Sequence, residues 1–337
     1  MRAAAAPLDI AAVAEDARLA EALGYDGLVA EETKDDPFIV LALAAQATTR
    51  IALATTVAIA FPRSPAVTAL TAWTLQKLAC GRFTLGLGSQ VKGHIERRYG
   101  MAWSPPGPWM RDYIGALRAI WDCWQHGTRL DFASAHYRHS LMVPLFAPAP
   151  IEHFPIPVQL AAVNPYMCRV AGEVADGIRA HPVCTPHYIE RVMLPAAREG
   201  AAKAGRDFAG FALGVKPLVA TAPDRAGLAE RVHDVRARVA FYASTPTYLA
   251  AFETQGYGDV ARRLQAYSRA QRWEEMPDFI DDEMLDAYAV IGTYGEIAGK
   301  LRARYAGCAT HVEFAIPVAG DGDRAALRDL IATLRQS

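Results

Sequence analysis

The sequence predicts a single α/β domain spanning residues 1–337, a closed (β/α)8 barrel of eight parallel strands with helices outside. Three observations predict it. Short, nearly continuous apolar runs, as expected of strands buried on both faces, alternate with helical patterns along the whole chain. Strand–helix alternation implies right-handed βαβ units, and about eight of them favour closure over an open sheet. The chain has 337 residues, 52% of them hydrophobic. That is enough for one large core, and barrels of this kind routinely exceed 250 residues.

The first strand is the weak element. It should precede the helix at Ile10, but residues 1–6 read MRAAAA, and alanine is a poor strand former. Strand one is therefore expected to be weak, shortened or missing from this start. A helix over Ile10–Leu23 places Ile10, Val13, Ala17 and Ala20 on one face. Tyr25–Ala30 is a short strand and Asp36–Thr48 a helix. Arg50–Ile59 and Arg82–Leu87 are strands flanking a helix at Ser64–Ala79, where Pro65 suits a first turn. Helix Met110–Gln125 and strand Pro157–Val163 follow. Next come helix Asn164–Glu173, strand Asp176–Ala180 and helix Pro186–Ala204. Strand Phe211–Ala220 leads into helix Pro223–Tyr242. Helix Gly295–Tyr305, strand His311–Ile316 and helix Asp323–Arg335 close the chain.

Two insertions break the alternation. Thr128–Val143 has strand-like content suited to a hairpin. Ser244–Val290 reads as helical and polar. On such barrels, insertions decorate the loops that enclose substrate.

Composition narrows the function. A formal net charge of −1 lacks the basic field that nucleic acid or an anionic membrane surface would require. Small molecules are the expected partners. The five cysteines, Cys80, Cys123, Cys168, Cys184 and Cys308, are scattered and never spaced C-x-x-C. That pattern points to reduced thiols in a cytoplasm. The amino terminus lacks the apolar core of a signal peptide, and no apolar stretch is long enough to span a bilayer. No metal site is expected: the acidic run Asp278–Asp286 matches no calcium loop.

Several motifs act together. The chain carries G-Y-D-G-L at Gly24–Leu28, A-T-T-V at Ala54–Val57 and R-S-P at Arg63–Pro65. It also carries G-R-F-T-L-G-L-G-S at Gly81–Ser89 and A-G-E-V-A-D-G at Ala171–Gly177. With these motifs the sequence resembles the luciferase-like monooxygenase superfamily from about residue 10 to the carboxyl end. Glu31–Phe38 and Gly88–Arg98 resemble its deazaflavin-dependent branch.

The resemblance implies an oxidoreductase with a flavin-type ring at the strand tips. Coenzyme F-420 (8-hydroxy-5-deazaflavin) is the first choice and FMN the alternative. It also implies a non-prolyl cis peptide between Thr56 and Val57, bulging under the ring after Thr55. Gly88, Ser89 and Gln90, at the end of strand four, are candidates for the ring and its ribityl or phosphate groups. Ala161, Ala162 and Val163 would pass beside the ring, and His181 would meet a phosphate. For the proton donor, Glu32 is the first candidate and His94 the second. Some relatives place a glutamate just after strand four, but this chain has Val91 there, so their acid–base assignment does not transfer. Many deazaflavin-dependent relatives have a histidine where Thr33 stands. Lys92, Arg97 and Arg98 could meet an acidic cofactor tail or form a solvated helix face. Trp73, Trp103, Trp109 and Phe38 could wall the pocket or fill the core.

The expected reaction is hydride transfer to or from a small organic substrate. The alternatives are an FMNH2-dependent monooxygenase served by a separate reductase, and a non-catalytic flavin-binding barrel. The resemblance also implies a homodimer through helices two and three.

Overall fold

The computed structural model describes residues 2–5, 10–316 and 320–335. Its centre is a barrel of eight parallel strands: β1 (Arg2–Ala5), β2 (Gly27–Ala30), β3 (Ala52–Thr55), β4 (Phe83–Gly88), β5 (Val158–Ala162), β6 (Gly177–Ala180), β7 (Ala212–Val215) and β8 (His311–Glu313). Each strand pairs with its successor, and β8 pairs with β1 to close the ring. Strand one is present and as long as β2 or β3. Its pairing of Arg2 with His311 and of Ala4 with Gly27 compensates for the low propensity of its alanines.

Two of the family-like motifs turn out to hold the barrel together at the amino-terminal ends of its strands. Asp26 Oδ2 accepts the Ala3 amide at 3.1 Å, and Asp176 Oδ2 accepts the Val158 amide at 2.9 Å. Each aspartate thus ties its own strand to the preceding one. Arg118 and Arg206 also donate to the Asp176 carboxylate, at 3.1 and 2.8 Å. The arginine of the G-R-F motif works similarly. Arg82 donates to the carbonyls of Thr48 and Ile51 at 3.0 and 2.7 Å, joining the end of helix Pro37–Ala47 to the start of β3.

A polar residue followed by proline starts several outer helices. Asp36 caps Phe38 at 2.8 Å ahead of Pro37, Ser64 caps Ala66 at 3.2 Å, and Thr185 caps Tyr188 at 3.2 Å. The side-chain oxygen meets an unpaired amide, and proline removes another. The Thr185 cap opens a helix running from Pro186 to Lys203. Its Ile189–Met193 segment is π-helical, next to Pro195, whose missing amide cannot join the regular ladder.

Two expectations need correction after residue 211. The run Phe211–Ala220 is two strands, not one. At Lys216–Pro217 the chain leaves the barrel, because proline offers no amide to continue the ladder. It re-forms as strand Leu218–Ala222, paired in parallel with Ala289–Thr293. That second strand takes the last two residues of the expected insertion, whose remainder is helical. The first insertion does form a hairpin, Phe132–Ala133 against Arg138–His139. Among the described residues, no helix is long and apolar enough to cross a membrane.

Candidate active site

The carboxyl ends of the strands open into a cavity of about 750 Å³. Its shape begins with β3. The chain takes four steps from Ala54 to Ala58, while β4 takes three from Thr84 to Leu87. The extra residue makes a bulge at Thr56–Val57, and the peptide joining them is cis. After it the chain rejoins β4 through Ala58–Ile59.

The bulge explains both glycines of β4. A Cβ on Gly86 would lie 2.0 Å from the Thr55 carbonyl oxygen. One on Gly88 would lie 2.5 Å from Val57 Cγ2 and 3.7 Å from Ala161 Cβ. Gly86 is therefore needed for the barrel to close, and Gly88 for the cavity to keep its floor. Thr55 itself is fully buried. Its hydroxyl donates to the Gly86 carbonyl at 2.6 Å and accepts the Gly86 amide at 2.8 Å, which makes it a strand clamp outside the cavity lining.

The mouth has two unlike halves. Over β3, β4 and β5 it is apolar and small: Val57, Gly88, Ala161, Ala162 and Val163 line it, with Thr56 beside them. The Thr56 hydroxyl oxygen is buried without a hydrogen-bond partner. Ser89 and Gln90 extend this side, in a loop that precedes the helix Lys92–Arg97. That helix starts at Lys92, past both residues, so neither stands in its first turn.

The opposite half is charged. Arg179 and His181 come from the end of β6, Lys216 follows β7, Glu313 ends β8, and Glu31 follows β2. Arg179 Nη1 meets Glu313 Oε1 at 3.1 Å, and Lys216 pairs with Glu31. Burial raises the Glu313 carboxyl above the ordinary range, while Arg179 and Lys216 pull it back. Burial, helped by Lys216, lowers His181 to about 4, so its imidazole is neutral at pH 7. It stacks on Tyr248 with ring centroids 4.2 Å apart and meets the edge of Tyr242 at 4.7 Å. Burial pushes the Tyr248 phenol up to about 12. Thr247 and Tyr248 bring the second insertion to the cavity wall.

Nine of the ten residues anticipated for cofactor contact therefore meet around one cavity, Thr55 being the exception. The two acid–base candidates are not brought there. Glu32 Oε2 accepts the Ile59 amide at 2.7 Å and pairs with Arg63 at 2.6 Å, while Arg63 also holds Asp36 at 3.0 Å. Tyr99 donates to the other Glu32 oxygen at 3.2 Å. His94 is exposed on helix Lys92–Arg97. Of the proposed aromatic walls, only Trp103 lines the cavity. Trp73 and Trp109 are core, Trp109 stacking on Phe61 at 3.7 Å, and Phe38 lies under Arg63. Sequence reasoning missed Arg179, Glu313, Lys216 and Tyr248. The available signal was charge at strand ends, where an apolar core has no use for it. Among the described residues no cluster suits a metal ion.

The luciferase-like monooxygenase model matches residues 2–311. The chain belongs to the luciferase-like monooxygenase family. An uncharacterized protein of Mycobacterium tuberculosis is 43% identical over 307 residues, 91% of this chain and 90% of its own length. The F420-dependent glucose-6-phosphate dehydrogenase of Beutenbergia cavernae is 33% identical over 195 residues, covering 55% of this chain and 54% of that protein. The coenzyme F420-dependent tetrahydromethanopterin reductase of Methanopyrus kandleri superposes with a TM-score of 0.76 at 20% identity. It covers 98% of this chain and 96% of its own. That likeness shows the same TIM-barrel fold.

Proposed function

We propose that this protein is an oxidoreductase that binds coenzyme F-420 in the barrel mouth and transfers hydride to or from a small organic substrate. The observation that carries this reading is the small-residue half of the mouth. Val57, Gly88 and Ala161–Val163 leave a flat apolar seat inside a cavity of about 750 Å³. Ligand sites of roughly 300–1,000 Å³ hold drug-sized molecules, so a tricyclic ring and part of its tail fit. Thr56, whose buried hydroxyl has no hydrogen-bond partner, stands beside this seat.

When bound, the deazaflavin supplies the two-electron hydride step. The chain supplies the rest. Val57 and Gly88 would support the ring, Ser89 and Gln90 would meet the ribityl chain, and His181 would give a neutral N–H to its phosphate. Lys92 faces the same cavity and suits an acidic tail. Glu32 acts as a positioning residue, since it holds Ile59 and Arg63 immediately after the bulge.

The named relatives support the deazaflavin, and the family description also accommodates FMN with a separate reductase. Titration of the purified protein with each cofactor, followed by absorbance and fluorescence, separates the two. Micromolar binding of coenzyme F-420 is expected. Tight binding of FMN alone, with oxygen uptake in the presence of reduced FMN, would replace this reading with the monooxygenase. Helices Pro37–Ala47 and Pro65–Leu78 expose Ile39, Leu43, Val67 and Leu70, each more than two-fifths exposed. A second copy of the chain is the proposed cover for this face.

A further inference from the structure

The charged half of the mouth contains one pair that leaves most of its hydrogen-bonding capacity unused. Arg179 stands on β6 and Glu313 on β8, so Arg179 must cross β7 to reach it. Gly214 permits the crossing: a Cβ there would lie 2.9 Å from Arg179 Nη1 and 3.0 Å from its Cδ. Side-chain exposure is 10% for Arg179 and 9% for Glu313. A guanidinium has five N–H donors. Among the described residues this one gives a single bond, from Nη1 to Glu313 Oε1, and its Nε is buried with no partner. Glu313 Oε2 accepts no bond from any described residue. Both side chains line the cavity opposite the small-residue seat. A buried arginine–glutamate pair is costly unless its remaining groups are met. A ligand oxygen placed there would accept from the Arg179 Nη groups, and Glu313 Oε2 would donate to it when protonated or accept the proton of a ligand hydroxyl when ionised.

We propose that Arg179 and Glu313 hold and protonate the substrate oxygen, so that the substrate is a carbonyl compound or the corresponding alcohol. This rests on the deazaflavin reading above. In the reducing direction, the carbonyl carbon gains a hydride with its two electrons from the reduced deazaflavin, which is oxidised. The C=O π pair moves to oxygen, and oxygen takes the proton of the Glu313 carboxyl. The resulting carboxylate is stabilised by Arg179 and regains a proton from water. Alcohol oxidation runs the same steps backwards.

Burial is the largest influence on Glu313 and raises its carboxyl above the ordinary value. Arg179 on β6 and Lys216 after β7 favour its carboxylate, while Glu31 after β2 and burial favour the acid. On the same strand His311 is held neutral, near 4, by burial and by Arg179, and Arg2 of β1 acts on it in the same sense.

The test uses the full chain loaded with oxidised coenzyme F-420 and the probe isobutyramide, whose carbonyl oxygen can bind but not accept hydride. Glutamate side-chain carboxyls are labelled with carbon-13 and followed by NMR. One resonance, absent from Glu313→Gln, is expected to titrate above the other glutamates and to shift on isobutyramide addition. The dissociation constant of isobutyramide should rise at least tenfold in Arg179→Lys and Glu313→Gln, with coenzyme affinity changed less than threefold. A Glu313 resonance indifferent to the probe, or equal probe binding by both variants, overturns the proposal while the cofactor reading stands. Failure of the wild-type chain to bind the coenzyme overturns the cofactor reading instead. Should Arg179→Lys melt early, the Glu313 resonance decides; should Glu313→Gln melt early, Glu313→Asp, which also removes the labelled glutamate carboxyl, supplies the assignment.

Discussion

Replacing Gly88 by alanine tests the seat with a single carbon. The added Cβ would lie 2.5 Å from Val57 Cγ2, whereas ordinary contact begins near 3.4 Å, so Val57 must retreat by about 0.9 Å. The atom that must move is a side-chain methyl, so the barrel can absorb the change. Overpacking of this kind costs about 1–3 kcal/mol. If Val57 moves into the space of the ring, that cost appears in the complex, and each 1.4 kcal/mol is about tenfold in affinity. Gly88→Ala is therefore predicted to weaken coenzyme F-420 binding by roughly ten- to a hundredfold, with thermal stability nearly unchanged. Gly86→Ala is the counterpart. Its Cβ would meet the Thr55 carbonyl oxygen at 2.0 Å, and backbone cannot step aside. That variant should lose stability before binding is measurable. Fluorescence titration and thermal melts of both variants give the answer. Unchanged affinity in Gly88→Ala would refute the placement of the ring against β4.

Further outcomes follow from the same geometry. Asp176→Asn keeps the shape of a side chain that holds Val158, Arg118 and Arg206 but removes its charge. It should cost about 1–3 kcal/mol in denaturant melts, without altering cofactor affinity. His181 and His311 are both held near 4, below the unfolded value, so the unfolded chain binds their protons first. The stability they confer is complete above about pH 6.5 and is lost as pH falls towards 4, with a slope of up to about 1.4 kcal/mol per pH unit for each. His181→Gln should flatten that acid limb in melts recorded across this range, and an unaltered limb would contradict the assignment. Val67→Glu with Leu70→Glu should convert a dimer to a monomer in light scattering. A wild-type chain already monomeric would dismiss the proposed interface.

Much of the barrel was legible because its signals are local. The proline start of the helix at Ser64–Pro65, and the apolar runs of β4 and β5, depend on neighbours in sequence. The bulge residues were legible only through resemblance, since nothing in A-T-T-V alone requires four residues to face three. The motif aspartates Asp26 and Asp176 were visible, but their work is at the end of the barrel remote from the cavity. Glu32 illustrates the limit most clearly. A carboxylate at a strand tip suits an acid, but Arg63, thirty-one residues on, claims it. Arg179 and Glu313 lie 134 residues apart and meet across Gly214. No spacing rule reaches that far. Strand Ala289–Thr293 escaped because its partner, Leu218–Ala222, had been absorbed into one longer strand that Pro217 divides.

Small residues at the tips of β3, β4 and β5 are proposed to seat a flavin-type ring. A crystal structure of the protein with coenzyme F-420 tests it most directly. The ring is predicted to contact Val57, Gly88 and Ala162, with its tail towards Ser89 and Lys92. A ring seated over Lys216 and Glu31 instead, or a cavity that stays empty at saturating coenzyme, would contradict the account.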